Sequence, residues 1–263
     1  MDLKNIFTYS LLLICLNSFS QINEDINKTD QSGMKQGRWI KKYPDGHILY
    51  EGYFKDNQPV GIFKRYYDND TIHSVLVYTD NGRVADASIF HPNGFVASKG
   101  KFINQLKEGK WQYFSARNAG HLVWEEEYKA NIRNGPSLKY YPDSSLAEKV
   151  NYINDLRNGE WFQYFPDGKI CLKANYIKGR LQGSFEIFFD NSKPEYLGQY
   201  KDDTRNGLWK IFNIDGSLKY NIEYIDGVAA NSEMSKKESD YLDSLEKNKG
   251  KIADPGKTGT IWE

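Results

Sequence analysis

The apolar and polar positions of this chain recur every 24 residues. The recurrence is anchored on Gly37, Gly61, Ala85, Gly109, Gly135, Gly159, Gly183 and Gly207, with a single spacing of 26 after Gly109. Two places beyond each anchor lies a ring row of Trp39, Phe63, Ala87, Trp111, Ser137, Trp161, Phe185 and Trp209. A second ring row, Phe54, Tyr78, Phe102, Tyr128, Tyr152, Tyr176, Tyr200 and Tyr224, is aromatic in every unit. A fixed period of this length predicts a repeat array. The unit running from Gly159 to Gln182 shows its parts most clearly. Glu160 to Phe165 is an aromatic-rich strand. Pro166-Asp167-Gly168 is a turn in which proline presets φ, aspartate accepts local hydrogen bonds and glycine takes positive φ; the order fits a type I turn followed by a bulge. In the second strand Ile170, Leu172, Ala174 and Tyr176 share one face while Lys173 and Asn175 take the other, and Leu218, Tyr220, Ile222 and Tyr224 repeat that parity.

The turn recurs as Tyr43-Pro44-Asp45-Gly46, His91-Pro92-Asn93-Gly94 and Tyr141-Pro142-Asp143-Ser144, and more loosely as Asp190-Asn191-Ser192 and Ile214-Asp215-Gly216. The longer unit carries its extra pair at the tip, in Ala116-Arg117-Asn118-Ala119-Gly120, where an insertion costs least. The expected fold is all-β: an elongated array of about eight antiparallel β-hairpins in one twisted sheet, roughly 75 Å long at about 4.8 Å per strand, with a short C-terminal helix. Gly37, Gly61, Gly159 and Gly207 supply unusual φ or close approach where units abut, and Trp39, Trp111, Trp161, Trp209 and Tyr176 supply the packing. The third unit, with Ala85, Ala87 and His91, is expected to be the thinnest part of the array. The expected boundaries are a signal peptide at 1–20, a flexible polar segment at 21–36, the array at 37–230, a helix at 231–248 with Met234, Tyr241, Leu242 and Leu245 on one side, and a disordered tail at 249–263.

Composition narrows the function. Of 263 residues 15% are aromatic, with 19 tyrosines, so rings supply the burial that aliphatics supply in a large enzyme. Lys plus Arg equals Asp plus Glu at 35 each, which leaves no basic stripe for nucleic acid and no polybasic run for anionic lipid. Lys4, the apolar run from Ile6 to Leu16 and Ser18-Phe19-Ser20 read as a secretory signal cleaved after Ser20. Cys15 offers a lipoprotein alternative, against which stands Ile14 in place of a small residue. The expected location is periplasm, outer surface or extracellular space. Cys171 then has no internal disulfide partner and reads as a small packing residue. No spacing of His, Cys or Ser matches a metal, redox or nucleophile motif, and no cofactor or catalytic residue is expected. The run Glu125-Glu126-Glu127 is expected to be a solvated strand edge.

The variable row Tyr50, Ser74, Ser98, Trp124, Glu148, Leu172, Tyr196 and Tyr220 offers Tyr50, Trp124, Tyr196 and Tyr220 as a partner surface, with packing against neighbours as the plainer reading. The pattern Gly-x-Trp with [Tyr/Phe]-Pro-Asp-Gly, carried best by Gly37-Arg38-Trp39 with Tyr43 to Gly46 and Gly159-Glu160-Trp161 with Phe165 to Gly168, resembles the variant MORN repeat of bacterial proteins and covers roughly residues 34–228. The resemblance implies hairpin arrays used for protein or membrane association without shared catalytic residues. The leading expectation is a non-enzymatic exported scaffold for a protein partner at the cell envelope. A cell-wall or carbohydrate binder is the second reading, and a phospholipid-surface binder or antitoxin-like partner the third.

Overall fold

A computed structural model describes residues 25–230. The expected signal peptide, the C-terminal helix and the tail lie outside those residues. The described chain is all β, an open antiparallel sheet of 18 strands in which each strand pairs with its neighbours in sequence. Order begins upstream of the expected array. Lys28–Thr29 pairs with Lys35–Lys42, and the carboxylate of Asp30 accepts from Ser32 N and Met34 N to close the intervening turn. Residues 28–29 and 35–36, within the segment expected to be flexible, are strand joined by a turn, because Asp30 and Gly33 supply turn chemistry that lies outside the period.

Each unit is a hairpin such as Leu156–Tyr164 with Ile170–Ile177. Its tip is the expected turn and bulge. Gly168 N donates to Phe165 O at 2.9 Å, Gly168 has φ 84°, and Asp167 accepts from Lys169 N at 3.1 Å. The pairing then slips between Gln163 and Tyr164. That bulge reverses the parity beyond it, which corrects one expectation: Ile170 and Leu218 leave the buried face that Leu172, Ala174 and Tyr176 occupy.

Units are joined by two-residue links with positive φ at both positions, as at Asn154 (50°) and Asp155 (64°), the geometry that suits hairpin twist. Adjacent links are bonded to one another. Asp155 N donates to Arg133 O at 3.0 Å, and Asp155 Oδ1 accepts from Arg133 N at 3.0 Å; Asn131 and Lys107 repeat the pair. At the other end, tips are bonded by ring side chains reaching into the next unit. Tyr43, Tyr67 and Tyr141 donate to Tyr66 O, Phe90 O and Tyr164 O at 3.1, 2.8 and 2.7 Å, and His91 Nε2 meets Phe114 O at 3.1 Å. His91 thus does the work of a tyrosine in the third unit.

The anchor glycines are needed for conformation and, except at Gly135, where a Cβ would meet the Glu127 side chain at 2.7 Å, not for space. Gly159 has φ 96° and Gly207 φ 71°, and a Cβ on either would touch nothing. Ala85 in the third unit is not left-handed. Its link accordingly grows to four residues, Asp80 to Arg83, and the bulge beside the anchor disappears while the downstream register is kept.

The interior is one face of the sheet, sealed laterally by neighbouring rings. Trp111 and Trp209 are wholly buried. Side-chain sizes are complemented across all but one of the junctions between units. Phe63, Trp111 and Trp209 lie over Gly52, Gly100 and Gly198, where any Cβ would overlap the ring. Phe185 faces Ala174. Where the ring row is small the rule inverts, with Leu76 opposite Ala87 and Glu126 opposite Ser137. The third unit is therefore filled from the unit before it, and Ala85 and Ala87 are buried. Trp161 facing Val150 is the exception; at the other junctions a large side chain meets a small one, which keeps the array packed without a second layer.

Candidate functional site

A further row, unnoticed in the sequence, lies two residues before the anchors: Lys35, Lys107, Arg133, Arg157 and Arg205. These cations cover the rings from the link end. Lys35 Nζ stands 4.6 Å from the Trp39 ring, Lys107 Nζ 4.8 Å from Trp111, and Arg133 4.2 Å from Tyr152. Arg157 donates to Tyr176 Oη at 3.0 Å and lies 5.8 Å from the Trp161 ring. Their recurrence at the period was the available signal. Arg157→Ala is expected to lose roughly 1–3 kcal/mol of stability, read by urea denaturation, from two charged hydrogen bonds, the second to Tyr152 Oη at 3.4 Å, and two ring contacts.

The scaffold residues stand where the repeat puts them. Trp111, Trp161, Tyr176 and Trp209 are buried and Trp39 is half-buried beside the first strand, with its Nε1 donating to Lys28 O at 3.2 Å. The proposed partner row does not form an exposed surface. Trp124 and Tyr196 are buried, Tyr50 stacks on Phe63 at 5.2 Å, and Tyr220 is half-buried beside the core. Even spacing along the strand puts this row on the same face as the rows that pack.

That face is divided. One apolar cluster runs from Val150 to Tyr224 and another gathers Ala87, Trp111, Tyr113, Trp124 and Tyr128. Between them is a polar seam. Tyr128 Oη donates to the buried Glu126 carboxylate, which also has Arg133 Nη1 at 3.8 Å. Trp124 Nε1 donates to Ser137 Oγ at 2.7 Å. Lys139 Nζ and Glu148 Oε1 form a buried ion pair at 2.8 Å, and Gln163 Nε2 donates to Glu148 Oε2 at 3.2 Å. Burial raises the Glu148 pKa, but the Lys139 charge and the two hydrogen bonds outweigh it and leave the carboxyl below its ordinary value. The acidic run is accordingly not a solvated edge: on the opposite face Glu125 accepts from Gln112 Nε2 at 2.7 Å and Tyr140 Oη at 3.0 Å.

A cavity of about 570 Å³ opens beside the seam, with Lys139, Glu148 and Gln163 among its lining, Val123, Ala147, Tyr141 and Pro142 as walls, and Ser115, Asn118 and His121 from the longer tip. Ser115 occupies the place held by Tyr43, Tyr67, His91 and Tyr141 in other units. No ring therefore crosses to the next tip here. Cys171 lies at the edge of the cavity, its thiol pushed up to about 11 by burial, which suits packing and not attack. Among the described residues no group of three His, Cys, Asp or Glu side chains could hold a metal ion.

Residues 35–56, 133–154 and 157–178 match the family model for the MORN repeat variant. These three units are variant MORN repeats. No curated protein matches the chain. Among solved structures a similar chain comes from "Crystal structure of GtfA/B complex bound to UDP and GlcNAc", with 13% identity and a TM-score of 0.19. The alignment covers 49% of the present chain and 24% of that one, and a likeness of this degree carries no argument. The longer tip, together with Trp124, Glu126 and Tyr128, precedes the match at 133–154; Ser137, Lys139 and Glu148 lie within it, and Gln163 lies within the match at 157–178.

Proposed function

We propose that this MORN-repeat protein is a non-enzymatic scaffold, exported to the cell envelope, that presents its link edge to a protein partner. The supporting observation is an apolar stripe along that edge. Leu106, Ile132, Ile153, Leu156 and Ile177 flank successive links, each between 39% and 51% exposed. Backbone bonds such as Asp155 N to Arg133 O and Gly179 N to Arg157 O hold those links side by side. Successive links are two strands apart, about 10 Å, so the stripe is a rigid series of small apolar knobs. Nothing in the array requires these side chains to be apolar, since they support no core. A protein surface suits them better than a lipid surface, because no cationic excess accompanies them. The role as scaffold rests on rows that hold rings and cations in packing contacts along the described residues.

The test is capture by crosslinking from the native envelope with Ile153→Lys/Leu156→Lys. The double variant is expected to lose its partner while its unfolding free energy stays within roughly 0.5 kcal/mol per site of the parent, since both positions are exposed. Retained capture would remove the link edge from the interface.

A further inference from the structure

Three departures from the repeat coincide at one place. The tip of the fourth unit is longer by two residues, its stitching ring is replaced by Ser115, and the packed face under it buries an ion pair, Lys139 with Glu148, beside Gln163. The equivalent positions pair Tyr113 with Trp124, Ile187 with Tyr196 and Ile211 with Tyr220, and in the first units Lys41 with Tyr50, Arg65 with Ser74 and Ile89 with Ser98; none of these joins a buried cation to a buried carboxylate. An apolar pair would be at least as stabilising here as a buried ion pair. A polar floor under an opened cavity is therefore better explained by a ligand than by folding.

We infer that this cavity is a binding site for a neutral saccharide of one or two rings. The floor is an ammonium, a carboxylate and an amide in sequence, with Lys139 to Glu148 at 2.8 Å and Gln163 to Glu148 at 3.2 Å. The first only donates, the second only accepts and the third does both. The floor pair is neutral in sum, and Arg117, also in the lining, stands on the exposed tip in contact with solvent, so the floor itself does not select a charged ligand. It matches neighbouring groups that each donate and accept, which is the property of vicinal hydroxyls. An ammonium has three protons and Glu148 takes one, and each carboxylate oxygen has more than one acceptor site. The walls Val123, Pro142 and Ala147 with Tyr141 give the C–H face of a sugar ring its apolar contact. About 570 Å³ lies within the range of small-molecule sites, roughly 300–1,000 Å³. The site is separate from the link edge, at the tip end of the same units.

Ser115→Tyr tests it. By equivalence with Tyr67, which reaches Phe90 O, a tyrosine here would reach Tyr140 O and fill the cavity. The probes are glucose, galactose, mannose, N-acetylglucosamine and their β-linked disaccharides, titrated into the full chain and followed by the NMR amide shifts of Val123, Ala147 and Gln163. At least one sugar is expected to saturate those shifts. Ser115→Tyr is expected to weaken it roughly tenfold or more, with a melting temperature no lower than the parent's and unchanged partner capture. The inference is overturned if no sugar moves these amides, if succinate or phosphate binds in preference to all of them, or if Ser115→Tyr binds as the parent does. Loss of partner capture in Ser115→Tyr, with sugar binding by the parent established and weakened in the variant, would overturn the link-edge reading alone.

Discussion

Trp209→Ala is expected to remove about 3–5 kcal/mol from the last units, and Gly198→Leu, which drives a side chain into the Trp209 ring, about 1–3 kcal/mol or more. The informative variant is the double. Gly198→Leu/Trp209→Ala recreates at the last junction the arrangement found natively at the second, where Leu76 lies opposite Ala87. It is expected to be more stable than Trp209→Ala alone by at least about 1 kcal/mol, because leucine fills the space the indole vacates. Recovery is incomplete, since Trp209 also meets Tyr200 at 5.3 Å, Tyr224 at 5.9 Å and Phe185 at 5.8 Å. A double variant that simply adds the two losses would show that junction volume is not what the sequence alternates.

The second large effect is at the seam. Lys139→Met leaves the buried Glu148 carboxylate without its cation and is expected to cost about 3–5 kcal/mol. The pair also sets a pH dependence. The folded Glu148 pKa is lowered, so its contribution to stability is fully present above the ordinary value of 4.5 and is lost as pH falls through the folded value. Between neutral pH and about pH 5 this group leaves stability flat; below that it lowers it. Urea denaturation of the parent and of Glu148→Gln at stepped acidic pH should show the parent losing its advantage as the carboxyl protonates. An advantage that grew on acidification would reverse the sign and refute the assignment.

The hairpin, its tip turn and the aromatic period were legible because each rests on local chemistry: proline and glycine at Pro166 and Gly168, rings at Trp161 and Tyr176. Size matching across junctions was not legible, because it relates Leu76 to Ala87 through pairing that only the register reveals. The cation row was present in the period but is polar, and reading strands by hydrophobic alternation passes over Arg157, whose stem and guanidinium lie along rings. The variable row misled for the opposite reason. Trp124 and Tyr196 looked free because they vary, yet their parity commits them to the packed face. His91 looked like degeneration and is a working substitute for tyrosine. The seam and its cavity emerge only when Ser115, in the fourth unit, is set beside Glu148 in the fifth and Gln163 in the sixth.

The central claim is that stability is passed between neighbouring hairpins and is not drawn from one shared interior. Hydrogen exchange on Gly198→Leu tests it most directly, peptide by peptide against the parent. Protection is expected to fall in residues 185–225 and to stay at the parent's level in residues 35–105. A uniform loss along the whole array would contradict it.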